Sequence, residues 1–207
     1  MRKIRLTAFV SLDGVMQAPG GPDEDRDGGF EHGGWTFHHW DEPMGAFMDR
    51  TFDTPFELLL GRRTYDIFAA HWPRVPDTDP IAKSFNAVTK HVATHRPDSL
   101  GWRNSRALTP EPVAALRELK AGTGPDLLVQ GSTVLLQALL AGDLLDEISL
   151  LTFPLVLGKG KRLFGDGAMP GAFRLRHSQV STTGVLMATY ERAGEIVAGS
   201  FALDEDG

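Results

Sequence analysis

The chain of 207 residues contains no cysteine. Disulfides, thiolate metal sites and a cysteine nucleophile are therefore excluded, and a reducing compartment is compatible with the composition. Long hydrophobic runs are missing as well, none approaching the ~20 apolar residues of a membrane span. After the basic start Met1-Arg2-Lys3, Asp13 interrupts the apolar stretch before it reaches signal-peptide length. The expectation is a cytoplasmic protein with no membrane partner. An excess of positive charge is also lacking: the formal net charge is −6, with acids gathered at Asp23-Glu24-Asp25 and Asp204-Glu205-Asp206. A nucleic-acid footprint would need a basic face, so no nucleic-acid partner is expected and the arginines read as local anion binders. Neither a Walker A loop nor the G-x-G-x-x-G fingerprint is present. No serine sits in a G-x-S-x-G setting, which leaves a hydrolase unsupported.

What is present is an ordinary globular composition, 42% hydrophobic and 23% charged, at a length that suits one domain. Its most informative stretch is Phe56-Glu57-Leu58-Leu59-Leu60-Gly61-Arg62-Arg63-Thr64-Tyr65, an apolar run that ends in Gly-Arg-Arg-Thr and then turns helical. The free N–H groups of a helix's first turn, with the helix dipole, favour a phosphate or carboxylate there. Gly61 lets the backbone approach closely, Arg62 and Arg63 offer planar forks of donors, and Thr64 adds a hydroxyl. The other reading is an ordinary strand-to-helix turn with two solvated arginines. A second segment of the same design, Asp126–Gln130 followed by Gly131, Ser132, Thr133 and Val134, suggests a long ligand with several phosphates, although simple N-capping by Ser132 or Thr133 explains it too.

Along the chain, residues 3–10 read as a strand, and residues 11 to about 41 as a long loop rich in Gly, Pro and Asp. A loop of that length is a functional lid or a disordered insertion. It carries Trp35, Phe37, His38, His39 and Trp40, rings expected to fold over the core edge or a ligand. Met44, Phe47, Met48 and Phe52 recur at helical spacing and predict an amphipathic helix over 42–52. Strands are predicted at 56–60, 87–94, 127–130 and 147–152. Helices are predicted after Gly61, near 79–86, after Pro110-Glu111-Pro112 and over 133–141. Residues 173–181 and 185–192 read as a hairpin. The expected fold class is α/β, a mixed sheet that is mainly parallel with a C-terminal antiparallel hairpin and helices on both faces. Residues 1–193 form the expected domain, and 194–207 an extension in which Ile196, Val197 and Phe201 pack before an acidic tail. Ligands of open α/β sheets sit beyond the carboxyl ends of the strands, where Gly61, Thr94 and Gly131 all fall. His32, His38, His39, Asp41 and Glu42 match no specific zinc spacing, and no metal is expected.

Five pieces in order carry a resemblance: Ser11-Leu12-Asp13-Gly14, Gly61-Arg62-Arg63-Thr64-Tyr65, Val129-Gln130-Gly131-Ser132, Leu144-Leu145-Asp146-Glu147, and Pro154 to Phe164. Over about residues 3–192 the chain resembles the dihydrofolate reductase-like superfamily, and within it the group of the riboflavin-biosynthesis reductase (RibD) C-terminal domain. The resemblance implies an NADPH-dependent reductase that transfers a hydride to a C=N or C=O group of a small, heterocyclic substrate. It also implies a homodimer. On the cofactor side it puts Arg62 near the 2′-phosphate and Arg63 and Thr64 near the pyrophosphate. Thr94, His95 and Arg96 then flank the adenosine, and Gly131, Ser132, Thr133 and Val134 cover the pyrophosphate from the other side.

On the substrate side the resemblance implies Thr152, while Asp13, in the turn at the mouth of the long loop, and Trp35, among that loop's rings, are further candidates. The helix carboxylate of dihydrofolate reductases falls at Gly45, where this sequence has none. Asp13 and Asp49 are left as the candidate catalytic acids. Each has a plainer reading, Asp13 as a turn former and Asp49 as a surface acid. Two alternatives to this reductase stay open: a non-catalytic nucleotide-binding protein, and 5-amino-6-(5-phosphoribosylamino)uracil reductase.

Overall fold

The strand β2 (Phe56–Gly61) is apolar on both sides because both sides are covered, and the same holds for its neighbour β5 (Asp126–Gln130). They lie inside an eight-stranded sheet completed by β1 (Ile4–Ser11), β3 (Lys90–Ala93), β4 (Ser105–Leu108), β6 (Glu147–Phe153), β7 (Ala172–Val180) and β8 (Leu186–Gly194). The order is β4-β3-β2-β5-β1-β6-β8-β7. The first six run parallel, and β8 and β7 close the sheet antiparallel. This computed structural model describes residues 1–108, 112–166 and 168–201. The expected fold class therefore holds.

Side chains on a strand alternate between faces, and the helices divide accordingly. Helices α4 (Pro112–Ala121) and α5 (Thr133–Ala141) cover one face, packing Leu116, Leu135, Leu136 and Leu139 on Ile4, Leu6, Ala8 and Val10 of β1. Helix α1 (Glu42–Phe52) covers the other, with Met44, Phe47 and Met48 against Leu151, Phe153 and Met187. Helices α2 (Arg62–His71) and α3 (Pro80–Ala87) share that second face, bringing Tyr65 and Phe85 to Leu58, Leu60 and Leu128. Each such buried side chain contributes about 1.5–3 kcal/mol from removal of its apolar surface from water. Asp41 fixes the start of α1: its carboxylate accepts from Met44 N at 3.0 Å and from Thr182 N and Oγ1 at 2.8 Å, tying the helix to the β7–β8 turn.

Several expectations are revised. The loop over 12–41 is packed rather than loose: Val15, Met16, Gln17, Ala18, Phe30 and Thr36 are buried, and two short 3-10 turns lie at Asp27–Gly29 and Phe37–His39. β4 was not expected, because Ser-Arg-Ala-Leu at a sheet edge has neither alternation nor a β-branched residue. β3 begins only at Lys90, since Val88 still caps α3. In the C-terminal extension Val197 and Phe201 are 93% and 107% exposed and do not pack. The predicted Pro110-Glu111 helix start and the acidic tail lie outside the described residues. Among the described residues, no helix is long and apolar enough to cross a membrane.

Lys90 is the least expected member of the core. Its side chain is buried, donates to Asn86 O and Arg103 O at 3.1 Å, and lies 4.2 Å from the Trp102 ring centroid. Burial lowers its pKa from 10.5 to about 8. Between those values the native state sheds a proton that the unfolded chain keeps, so stability rises with pH. The wild type is expected to gain melting temperature relative to Lys90→Met as pH increases from about 8 to about 10. Thermal unfolding of both proteins across that range checks it; a constant or falling difference contradicts it.

Candidate functional site

The site grows from the ends of two adjacent parallel strands. β2 and β5 each stop at a turn that leads straight into a helix, and the two turns are bonded to each other. Gly61 N donates to Ser132 Oγ at 2.9 Å, Ser132 N donates to Thr64 Oγ1 at 3.0 Å, and Ser132 Oγ donates to Gln130 O at 3.2 Å. Gly131 and Ser132 both adopt left-handed backbone, φ 58° and 61°. A side chain at Gly131 would be strained by that backbone conformation, although it would meet Thr64 only at ordinary contact distance. The Ser132 hydroxyl is thus committed to the turn–turn joint as both donor and acceptor, and the Thr64 hydroxyl is held there as an acceptor; the backbone N–H groups of the first turns of α2 and α5 are the principal anion donors left over. Val134, 84% exposed on the first turn of α5, adds an open apolar surface.

The arginines diverge. Arg62 Nε donates to both carboxylate oxygens of Asp66 at 2.9 Å and Nη1 to Ser99 Oγ at 2.5 Å and Arg96 O at 3.3 Å, so it braces α2 against the loop after β3. The Asp66 hydrogen bond pushes its pKa further up. Thr94 Oγ1 shapes that loop by accepting from Arg96 N at 3.0 Å, while His95 and Arg96 are exposed. Arg63 turns the opposite way, to Asp25 at 2.9 Å and Asp27 at 3.1 Å in the long loop. The residues expected at the cofactor therefore gather, joined through Gly61–Ser132 and Arg62–Arg96. Thr133, at the start of α5, completes them.

The crevice beside these turns is set by register. β5 pairs with β1 only as far as Thr7↔Gln130, whereas β1 continues to Ser11 bonded to β6 alone. The β5-facing edge of residues 8–11 consequently has no strand partner. On the face that carries α1, α2 and α3, Arg5 and Thr7 of β1 lie alongside Gln130. Arg5 Nη2 and Gln130 Nε2 are buried with no hydrogen-bond partner among the described residues. Buried donors without acceptors cost about 1–3 kcal/mol each. This donor-rich strip was not anticipated; its only trace in the sequence is a polar residue, Gln130, closing an otherwise apolar strand.

The residues expected on the substrate side do not gather at one place. Asp13 accepts from Ser11 Oγ at 2.6 Å, Leu157 N at 3.1 Å and Gly158 N at 2.9 Å, and pairs with Arg162. The Ser11 hydrogen bond foremost, then the two backbone donors, lower its pKa to about 2 against the opposing effect of burial. A carboxylate so held brackets the 155–162 segment and has no proton to give at neutral pH. Asp49 is exposed and, among the described residues, without a side-chain partner, on the side of α1 turned from Met44, Phe47 and Met48. Trp35 packs edge-on to Phe153, centroids 5.1 Å apart, with Nε1 donating to Gln17 O. Thr152 alternates with Phe153 and so lies on the opposite face with Leu150. Trp35 and Thr152 thus do not line one surface. Gly45 is half-buried, and a Cβ built there meets nothing within 4 Å. Among the described residues no three His, Asp or Glu side chains converge to hold a metal ion.

A family model described as the RibD C-terminal domain matches residues 2–187. The chain is 24% identical over 196 residues to the uncharacterised Bacillus subtilis protein YyaP, covering 93% of this chain and 96% of that one. Among solved structures, a candidate riboflavin biosynthesis protein from Shewanella sp. PV-4 superposes with a TM-score of 0.62 at 22% identity, over 92% of this chain and 99% of its own. An Enterococcus faecalis dihydrofolate reductase complexed with NADP(H) superposes with a TM-score of 0.57 at 14% identity, over 92% and 96%. At these identities the structural likeness establishes the fold.

The turn–turn joint carries a stability prediction. Ser132→Ala and Thr64→Val each lose about 1 kcal/mol, and the double variant loses less than the sum because both act on one joint. Urea unfolding of the four proteins measures this; strict additivity, or no loss in either single variant, contradicts it.

Proposed function

We propose that this chain, which belongs to the RibD C-terminal domain family, is an NADPH-dependent reductase of a small heterocyclic compound, acting at a C=N or C=O group. The observation that carries this reading is the bonded pair of strand-to-helix turns, Gly61–Thr64 and Gly131–Val134, flanked by Arg62 and Arg63. Two first-turn sets of N–H groups beside two guanidinium groups suit a diphosphate with one further phosphate. The fit is supported by the left-handed backbone at Gly131 and by the joint itself, which sets the main-chain donors of both first turns beside the arginines. Arg62 is assigned to the 2′-phosphate, with Thr94, His95 and Arg96 beside the adenosine, and Arg63 to the pyrophosphate.

When bound, the nicotinamide supplies the hydride, and the protein contributes alignment and exclusion of water. The substrate is assigned to the face where Arg5, Thr7 and Gln130 lie. The unpartnered donors of Arg5 and Gln130 suit ring nitrogens and carbonyl oxygens of a pyrimidine- or pterin-like ring, of which the ribosylaminopyrimidine of riboflavin synthesis is one instance. Asp13 is assigned a positioning role, holding the 155–162 segment. A homodimer is assigned to the β7 edge, where Leu175 and Val180 are exposed on a strand with one unpaired side.

A second reading, a nucleotide-binding protein without catalysis, has one observation in its favour: neither Gly45 nor Asp13 offers a proton at the crevice. It forecasts binding without NADPH oxidation across pterins, pyrimidines, flavins and quinones. Under the reductase reading NADPH raises the melting temperature more than NADH does, and Arg62→Ala narrows that gap. Thermal shift with both nucleotides decides the cofactor assignment; equal, negligible shifts overturn it.

A further inference from the structure

The long loop places two acids on the cations at the mouth of the crevice. Asp25 pairs with Arg63 at 2.9 Å and Lys161 at 2.8 Å, and Asp27 with the same two cations at 3.1 and 2.9 Å. The four charges sum to zero. The neighbouring charges are engaged elsewhere: Asp23 pairs with Arg26, the carboxylate of Glu24 accepts from Gly20 N and Gly21 N, and Lys159 donates to Gly29 O.

The attachments on the two sides are unequal. Gln17 Nε2 donates to Asp25 O and Asp27 O at 3.0 Å, and Gln17 Oε1 accepts from Lys161 N at 2.9 Å. Segment 25–27 and Lys161 are therefore anchored together through the main chain. Arg63, by contrast, is held among the described residues by the two ion pairs alone, and its side chain is 52% exposed. The Arg63–Asp27 pair, exposed on both sides, is weak and readily exchanged; Asp25 is only 12% exposed but keeps Lys161 as a partner when Arg63 leaves.

We propose that Asp25 and Asp27 form a displaceable anionic plug, which occupies Arg63 in the free protein and yields it to the nucleotide diphosphate on binding. This rests on the assignment of Arg63 to the cofactor's pyrophosphate. The plug supplies the guanidinium with a counter-charge in the free protein, and the competition lowers cofactor affinity by the free energy needed to part the two pairs. It also blunts the salt dependence of binding, because one internal anion is replaced by another and fewer counterions are exchanged with solvent.

The test titrates NADPH into the wild type, Asp25→Asn/Asp27→Asn, and the charge-matched control Asp23→Asn/Glu31→Gln, at low and at high salt. The first variant is expected to bind about five- to tenfold more tightly than wild type, with a steeper salt dependence; the control is expected to stay near wild type. Asp27→Asn alone, at a side chain 57% exposed, gives about two- to threefold and serves if the double variant fails to fold. Unchanged or weaker binding in the plug variants, or equal tightening in the control, overturns the plug while leaving the cofactor assignment standing. No binding of NADPH by any of the proteins overturns the cofactor assignment and the plug with it.

Discussion

The joint between the β2–α2 and β5–α5 turns is the constraint on which the rest of the site depends. One serine hydroxyl accepts from Gly61 N and donates to Gln130 O, while its own amide is held by Thr64. Those bonds fix the first turns of two helices side by side at the ends of neighbouring parallel strands. The left-handed backbone at Gly131 and Ser132 is tolerated because the joint over-determines it. Everything assigned to the cofactor is positioned from this point: Arg62 outward to the loop after β3, Arg63 inward to the long loop, Val134 on the open side.

The same sheet separates two tasks. Where β5 stops, β1 runs on without a partner on that side, and the crevice opens at the place where the strand order switches. Phosphate-binding groups stand at the strand ends. The unpaired donors of Arg5 and Gln130 lie farther in, on the face under α1, α2 and α3. Asp13 and Asp41, both carboxylates near the crevice side of the fold, work as brackets, one for the 155–162 segment and one for the hairpin turn.

Much of the fold was legible because its signals are local. The apolar spacing of α1 and the Gly142 that closes α5 placed both helices where they lie, and the two Gly-containing turns were visible as strand, glycine, helix. The site was legible in part. That Gly61 and Ser132 touch is a contact across 71 positions, which no local pattern encodes. Thr152 shows the limit of matching motifs: a single step in strand parity decides which face it occupies, and the packing of Phe153 under Trp35 puts Thr152 on the other one. Asp13 reads the same in sequence whether it meets a substrate or three donors of its own chain. The rings of the long loop do fold over the core edge, but how firmly the loop is packed was not legible, because its fixing points, Gln17, Trp35 and Asp25, bond to partners far along the chain or to main-chain atoms.

The central claim is that the two bonded turns together form the cofactor's anion site. Amide hydrogen exchange of the full chain with and without NADPH tests it most directly. The account predicts added protection in both turns, at residues 61–64 and at residues 131–134. Protection confined to one turn, or appearing only away from both, contradicts it.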